Sequence, residues 1–342
     1  FGMAVDIPAN GRQFGVVIDN LGDQCHDATF LLYAGKSVPL APTRRNAPCR
    51  LAAPAYTACF WFMREGSGGM QVFYNPDHAR HNPSQFINRG QAKANPEVPE
   101  RGRIFFDAVT AGGHPVERPP AFGLAAVRRI HNAGYLEYLE TAWALWSAQA
   151  DYAPEIIPNI HPGRNMATKP TGIIGLAGYY QTDTACPIGP DTWEAAQAAA
   201  DSALAAADHV ISGRAGEAYA LCRPPGHHAY HDMAGGFCFL NNSAIAAQYC
   251  RDQGAGRVAI LDVDVHHGNG TQGIFYDRDD VLTVSLHGDP ATFYPYFTGY
   301  AGETGRGAGW PGGARRTDAD DDEVIEGDAV ERPLRDIQHK KD

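Results

Sequence analysis

The chain has 342 residues, of which 44% are hydrophobic and 20% charged, with a formal net charge of −11 at pH 7. This is the composition of a folded protein of one large α/β domain or two ordinary ones, and it excludes a disordered chain. The acidic balance argues against a nucleic-acid partner, the lack of a run of about 18 apolar residues argues against a membrane span, and seven cysteines without a C-x-x-C pair suit reduced thiols in the cytoplasm. The first residues also lack a basic stretch leading into an apolar one, so no secretory leader is expected.

Residues 1–69 differ in character from the rest of the chain. They hold one strand-like run, "FGVVID" (14–19), among Pro- and Ala-rich pieces without a sustained period. "MQVFY" from Met70 reads as the first strand of the main domain. Residues 120–149 carry apolar side chains at helical spacing on both sides of a glycine. Asp191 and Glu194 form an Asp-x-x-Glu start signal for a helix over 191–212. "EAYALCRPPG" (217–226) predicts a strand running into a turn, "NNSAIAAQYCRDQG" (241–254) a helix closed by Gly254, and 257–265 and 281–287 two more strands. Strand–helix–strand alternation of this kind means crossover connections and a parallel sheet covered by helices on both faces. No internal repeat is present. From about Trp310 the chain turns polar, with an acidic run and a basic end, which predicts a solvated, disordered tail over 310–342.

Two polar clusters stand at predicted strand ends. In "AILDVDVHHGNGTQ" (259–272), alternation puts Asp262, Asp264 and His266 on one face of the strand and His267 on the other. Asp264 and His266 then project together from the carboxyl end of a parallel strand, where open α/β sheets hold ligands. A carboxylate and an imidazole so placed suit a zinc-like ion; without a metal they would need a salt-bridged network to offset several kcal/mol of buried charge. "RPPGHHAYHDMAGGFCFLNN" (223–242) follows another strand and opens on the same rim. Its tandem His227 and His228 suit proton transfer beside a metal-activated water; a histidine pair alone is more often surface or structural, and two strand-end clusters on the same face of one sheet reverse that balance. His131, Cys238 and His287 read as structural or unassigned.

At this point "CRPPGHHA…GGFCFLNN", "AILDVDVHHGNGTQ" and "VSLHGDP", with "IHNAGYLEYLETAW" (130–143) and "GPDTWEAA" (189–196), resemble the zinc-dependent histone deacetylase superfamily, and within it the class II-like bacterial members that include acetylpolyamine amidohydrolases. The resemblance runs from about Met70 to Gly309, making 70–309 the deacetylase-like domain. It implies an arginase-like α/β fold with one eight-stranded parallel sheet. It implies zinc held by Asp264 and His266, tandem catalytic histidines at His227 and His228, and tautomer-setting partners at Asp262 and Asn269. It also implies a potassium site at Asp262, Asp264, His266, Ser285 and Leu286, and tunnel walls at Phe237 and Tyr294 that suit an alkyl stem. The implied reaction is hydrolysis of an acetyl-lysine or small acylated amine. In the segment that matches the entrance, 171–190, Asp183 is the one acidic residue, so no strong preference for polyamines is expected.

The sequence departs from the resemblance in two ways. The third zinc ligand, an aspartate on a later strand, and an oxyanion-binding tyrosine beside a Gly-Gly pair are both absent as motifs; Asp318, Asp320, Asp321 and Asp322 stand in no matching context. The last strands of the family sheet, two of which lie between the strand before His227 and the strand carrying Asp264, are absent too, which predicts a gap of roughly 10 Å in the sheet. The expectation is an incomplete or frame-disturbed gene product; its first reading is a zinc amidohydrolase by descent, and the competing reading is an inactive or incomplete deacetylase-like protein that retains only metal or ligand binding. A binuclear manganese ureohydrolase would share the sheet but needs Asp-x-x-x-Asp ligands that are not found here. Oligomeric state is left open.

Overall fold

The computed structural model describes residues 69–303 and 305, together with the backbone of two strands nearer the N-terminus, 14–19 and 29–34. The predicted tail, with its four aspartates, lies outside the described residues. In chain order the strands are β1 (Phe14–Asp19), β2 (Thr29–Ala34), β3 (Gln71–Tyr74), β4 (Gln85–Asn88), β5 (Gln91–Ala94), β6 (Val116–Glu117), β7 (Glu217–Leu221), β8 (Val258–Asp262) and β9 (Val281–Ser285). The α-helices are α1 (Pro99–Ala111), α2 (Ala133–Ser147), α3 (Ile173–Tyr180), α4 (Thr192–Ile211), α5 (Asn242–Asp252) and α6 (Asn269–Phe275).

Seven strands form one sheet in the order β6-β3-β7-β1-β2-β8-β9, and β4 and β5 pair separately. β7 runs parallel to β3 and β1, and β9 parallel to β8, whereas β2 is antiparallel to both of its neighbours. The expected parallel α/β sheet is therefore present with one reversed strand. The expected gap is not. β1 and β2, from the segment that differs from the rest of the chain, lie between β7 and β8 and pair with each along its length. Two strands at about 4.8 Å spacing span the distance that their absence would leave.

Side chains alternate across β7. Ala218, Ala220 and Cys222 enter the larger core under α4, and Cys222 Sγ lies 3.3 Å from Ala199 O. Tyr219 and Leu221 face the other way, into a smaller cluster with Val72 and, from α1, Phe105, Phe106 and Val109. The sheet is thus covered on both faces. In α4 the buried positions are mostly alanine, and in α5 they include Ala244, Ala246 and Ala247, which lets both helices approach the sheet and each other closely. The predicted start signal of α4 does not form: Asp191 makes no cap hydrogen bond and pairs instead with Arg80. Thr192 Oγ1 accepts from Gly189 N at 2.8 Å in its place. Helical spacing before Gly134 also proves misleading, since only α2 is helical there and 120–132 is loop with one short 3-10 turn.

Three histidines, His78, His81 and His131, are buried in this scaffold. Burial, and the nearby Arg223 guanidinium as a second cause, holds His78 down at about 4. Burial holds His131 at about 3 and His81 well below the usual imidazole value. These groups are neutral in the fold and titrate near 6.5 once unfolded. Above that value neither state binds the proton, so stability is flat. Below it the unfolded chain takes up protons that the native chain refuses, so stability falls as pH drops from about 6.5 to about 4, at up to about 1.4 kcal/mol per pH unit for each histidine. Melting temperatures measured between pH 8 and 4.5 should show this drop, and replacing His131 by Asn should remove the share that His131 contributes while His78 and His81 keep theirs.

Candidate active site

β8 ends sooner than the sequence pattern predicts, and its own aspartates are the reason. Asp262 Oδ1 accepts the Asp264 N–H at 3.1 Å, and Asp264 Oδ1 accepts the His266 N–H at 2.5 Å. Two successive side-chain-to-backbone bonds of this kind compete with the sheet ladder and turn the chain out of it. Asp264 is fully buried and His266 partly exposed. The turn brings Asp264 Oδ1 and His266 Nδ1 to 3.0 Å from each other.

The tandem histidines face this pair. His227 Nδ1 lies 2.8 Å from Asp262 Oδ2, and His228 Nδ1 lies 2.6 Å from Asn269 Oδ1. A carboxylate can only accept, so Nδ1 of His227 carries the proton and Nε2 keeps its lone pair. With Asn269 presenting its carbonyl oxygen, the same holds for His228. The two ring centroids are 3.9 Å apart, and His227 Nε2 is 4.0 Å from Asp264 Oδ1. Burial, then the neighbouring His227, pushes the His228 imidazole well below its usual value, so it stays neutral.

The glycines around these groups serve close approach more than turning. A Cβ on Gly268 would sit 2.2 Å from Asp262 Oδ2, and one on Gly270 would meet Ala229 O at 2.4 Å. That lets α6 dock its first turn against the His227–Ala229 backbone, where Thr271 N donates to His227 O at 3.0 Å. From the other side, Arg223 anchors the start of the histidine loop. Its Nε lies 2.6 Å from Glu97 Oε1, while its terminal nitrogens donate to His78 O and Glu97 O. Nothing in the sequence pattern marks Glu97 as that partner.

Aromatic side chains pack around these groups. Tyr294 stands edge-on to His228 with centroids 4.8 Å apart, and its hydroxyl donates to Asp183 Oδ2 at 2.5 Å. Burial and then the Asp183 charge raise the Tyr294 hydroxyl well above 10, so it stays a donor. Phe237 lies 5.5 Å from Phe86, on a strap whose Gly236 (φ +49°) would, with a Cβ, strike His228 Cδ2 at 2.3 Å. Phe293, which the sequence reading passes over, stacks on His266 at 4.9 Å and 26°. Its place in the aromatic run "TFYPYF" is the signal that could have found it. Ser285 Oγ accepts from Gly268 N at 3.2 Å and Leu286 N donates to Asp262 O at 2.8 Å, so both sit behind the aspartates. A cavity of about 180 Å³ lined by Asp262, Gly268 and Ser285 opens there.

The histone deacetylase domain model matches residues 95–314. The chain belongs to the histone deacetylase domain family. It is 48% identical over 242 residues to the acetylpolyamine amidohydrolase of Mycoplana ramosa, covering 70% of each chain. It is similarly 48% identical over 244 residues to acetylpolyamine amidohydrolase 1 of Pseudomonas aeruginosa, again over 70% of each. Among solved structures, an acetylpolyamine aminohydrolase from Burkholderia pseudomallei superposes with a TM-score of 0.67 at 46% identity, over 70% of this chain and 69% of that one. A membership resting on the domain match agrees with the α/β fold and with its mainly parallel sheet.

The donor set bears on a zinc ion. Two ligand atoms on one tetrahedral zinc, at about 2.0–2.1 Å each, stand a little over 3 Å apart, and the 3.0 Å separation of Asp264 Oδ1 and His266 Nδ1 fits that. A catalytic zinc takes three protein ligands, and among the described residues no group of three His, Cys, Asp or Glu side chains is placed to hold one. Also among the described residues, no helix is long and apolar enough to cross a membrane.

Proposed function

We propose that this protein hydrolyses the amide bond of a small N-acylated amine or acetyl-lysine, with a zinc ion held by Asp264 and His266. The observation that carries the reading is the convergence of the Asp264–His266 pair on two imidazoles whose Nδ1 atoms are already engaged. When bound, zinc supplies Lewis-acid polarisation of the acyl carbonyl and lowers the pKa of the attacking water. The chain's own groups do the rest. His227 and His228 each offer Nε2 to the pocket: the ring that accepts the proton of the water then passes that same proton to the departing amine nitrogen as the C–N bond breaks, so acetate and the amine leave. Asp262 and Asn269 fix which ring nitrogen is available. Phe237, Phe293 and Tyr294 line the approach with apolar surface that excludes water from an alkyl stem. A potassium ion at Asp262, Asp264, His266, Ser285 and Leu286 would add positive charge behind the aspartates. The acetylpolyamine amidohydrolases to which the chain is similar support an acylated amine as substrate; Asp183 is the one acidic group in the entrance segment, which supports a substrate without a long cationic tail.

The test is zinc content beside amidase activity. With two protein donors, zinc should load to about one per chain when added and be lost on dialysis; Asp264→Asn should abolish loading. Turnover of an acetyl-lysine peptide should appear only with zinc present and be no lower than that of acetylputrescine. A metal- or ligand-binding protein without catalysis is the second reading, favoured by the two-donor set; it predicts zinc loading with no turnover.

A further inference from the structure

Asp183 lies in the loop between α3 and α4, away from the proton-transferring groups, yet three segments of the tunnel wall meet at its carboxylate. Oδ1 accepts Ala185 N–H at 2.7 Å and folds its own loop. Oδ2 accepts Gly236 N–H at 3.0 Å from the strap that carries Phe237. The same oxygen accepts the Tyr294 hydroxyl at 2.5 Å, across 111 residues of sequence. The strap is held to this loop a second time, because Thr182 N and Oγ1 both donate to Ala234 O, at 2.8 and 3.0 Å. Gly235 makes the approach possible: a Cβ there would lie 2.2 Å from Thr182 Oγ1 and 3.4 Å from the Tyr294 hydroxyl.

These bonds differ in kind from ordinary loop contacts. A hydroxyl or amide donating to a carboxylate is roughly twice as strong as a neutral pair, and Tyr294 is buried on the side that meets His228. Its ring is edge-on to that imidazole and 5.9 Å from His266. A phenylalanine would fill the same space without the link to the strap. The hydroxyl therefore does something the ring alone does not: it ties the wall formed by Tyr294 to the opposite wall formed by Gly236 and Phe237.

We propose that Asp183 is a positioning residue that clamps Tyr294 to the Phe237 strap and so holds the aromatic wall in contact with His228. Its carboxylate faces donors inside the wall, so its charge serves the shape of the tunnel and does not receive the cationic end of a substrate. The tunnel role rests on the proposed amidohydrolase function; the clamp does not.

The test uses the full-length, metal-free chain at pH 8. The readout is the ring-current displacement of the His228 ring protons, with Tyr294→Leu defining its complete loss. Asp183→Asn and Tyr294→Phe should each lose more than half of that displacement, and the double variant should lose no more than either single one. Their losses in melting temperature should likewise be less than additive. If Tyr294→Leu moves the His228 signals while Asp183→Asn and Tyr294→Phe leave them at the wild-type position, the clamp is wrong; additive losses in melting temperature also overturn it. With zinc added, clamp variants should raise KM for an N-acetylated amine more than they lower kcat. Absence of turnover in the wild type would count against the amidohydrolase reading alone, since the NMR arm decides the clamp without it.

Discussion

A chain that starts at residue 69 is expected to lose cooperative unfolding. β1 and β2 sit at the centre of the sheet, between β7 and β8, and among the described residues no other strand joins those two. Four register positions link β1 to β7, and five link β2 to β8. Removing the hairpin leaves two fragments, β6-β3-β7 and β8-β9, each with a row of unpaired N–H and C=O groups inside the domain. At about 1 kcal/mol net per backbone hydrogen bond, with a further penalty for each group left buried and unpaired, the loss is on the order of 5 kcal/mol or more. Whole domains of this kind are stable by only about 5–15 kcal/mol. The shortened chain should show no sigmoidal melt by circular dichroism and should bind a hydrophobic dye, while the full chain melts in one step. An unchanged melting temperature after the deletion would mean that the hairpin is not part of the cooperative sheet. The same deletion would part the site, since His227 and His228 follow β7 whereas Asp262 ends β8 and Asp264 and His266 come just after it.

The second large effect is expected at Asp262. Replacing it by Asn keeps the size of the side chain but lets an amide N–H face His227 Nδ1, which now lies 2.8 Å from a carboxylate oxygen. The imidazole must then carry its proton on Nε2 and loses the lone pair it turns to the pocket. General acid–base transfer contributes typically about 100- to 10,000-fold, so kcat of the zinc-loaded protein should fall by that order with KM little changed. His228→Ala should produce a loss of the same order. His227→Ala combined with Asp262→Asn should cost little more than either alone, because the carboxylate acts only through the ring. If Asp262→Asn instead lowers zinc content and leaves the turnover per bound zinc unchanged, Asp262 serves the metal side of the site and the tautomer argument fails.

Much of this architecture is legible from local patterns. β7, α4, α5 and β8 follow from periodicity and turn residues, and the two polar clusters are recognisable because each stands at the end of an apolar run. What escapes is non-local. "FGVVID" reads as a strand, but nothing in those six residues says that it pairs with Glu217–Ala220 two hundred residues later. The partner of Asp183 is equally invisible, since Tyr294 looks like any aromatic in an aromatic run. The end of β8 is hidden for a different reason. Alternation through Val265 is real as a pattern, yet the carboxylates of Asp262 and Asp264 capture the next backbone amides and end the ladder. α3 is invisible because "IIGLAGYY" is apolar on all sides and has no period to read.

The central hairpin also dictates an order of events during synthesis. β1 and β2 leave the ribosome before the other described strands, and the strand that flanks β2 comes 224 residues after it, from residue 34 to residue 258. At about 5–20 residues per second that is a wait of roughly 10 to 45 s. The β1 edge waits for β7 and the β2 edge for β8, so until Glu217 is made both edges of the hairpin are bare, the condition under which nascent chains stick to one another. Expression at low temperature, or with a chaperone that shelters exposed strands, should therefore raise the yield of native protein more than it would for a fold whose first strands lie at the sheet margin.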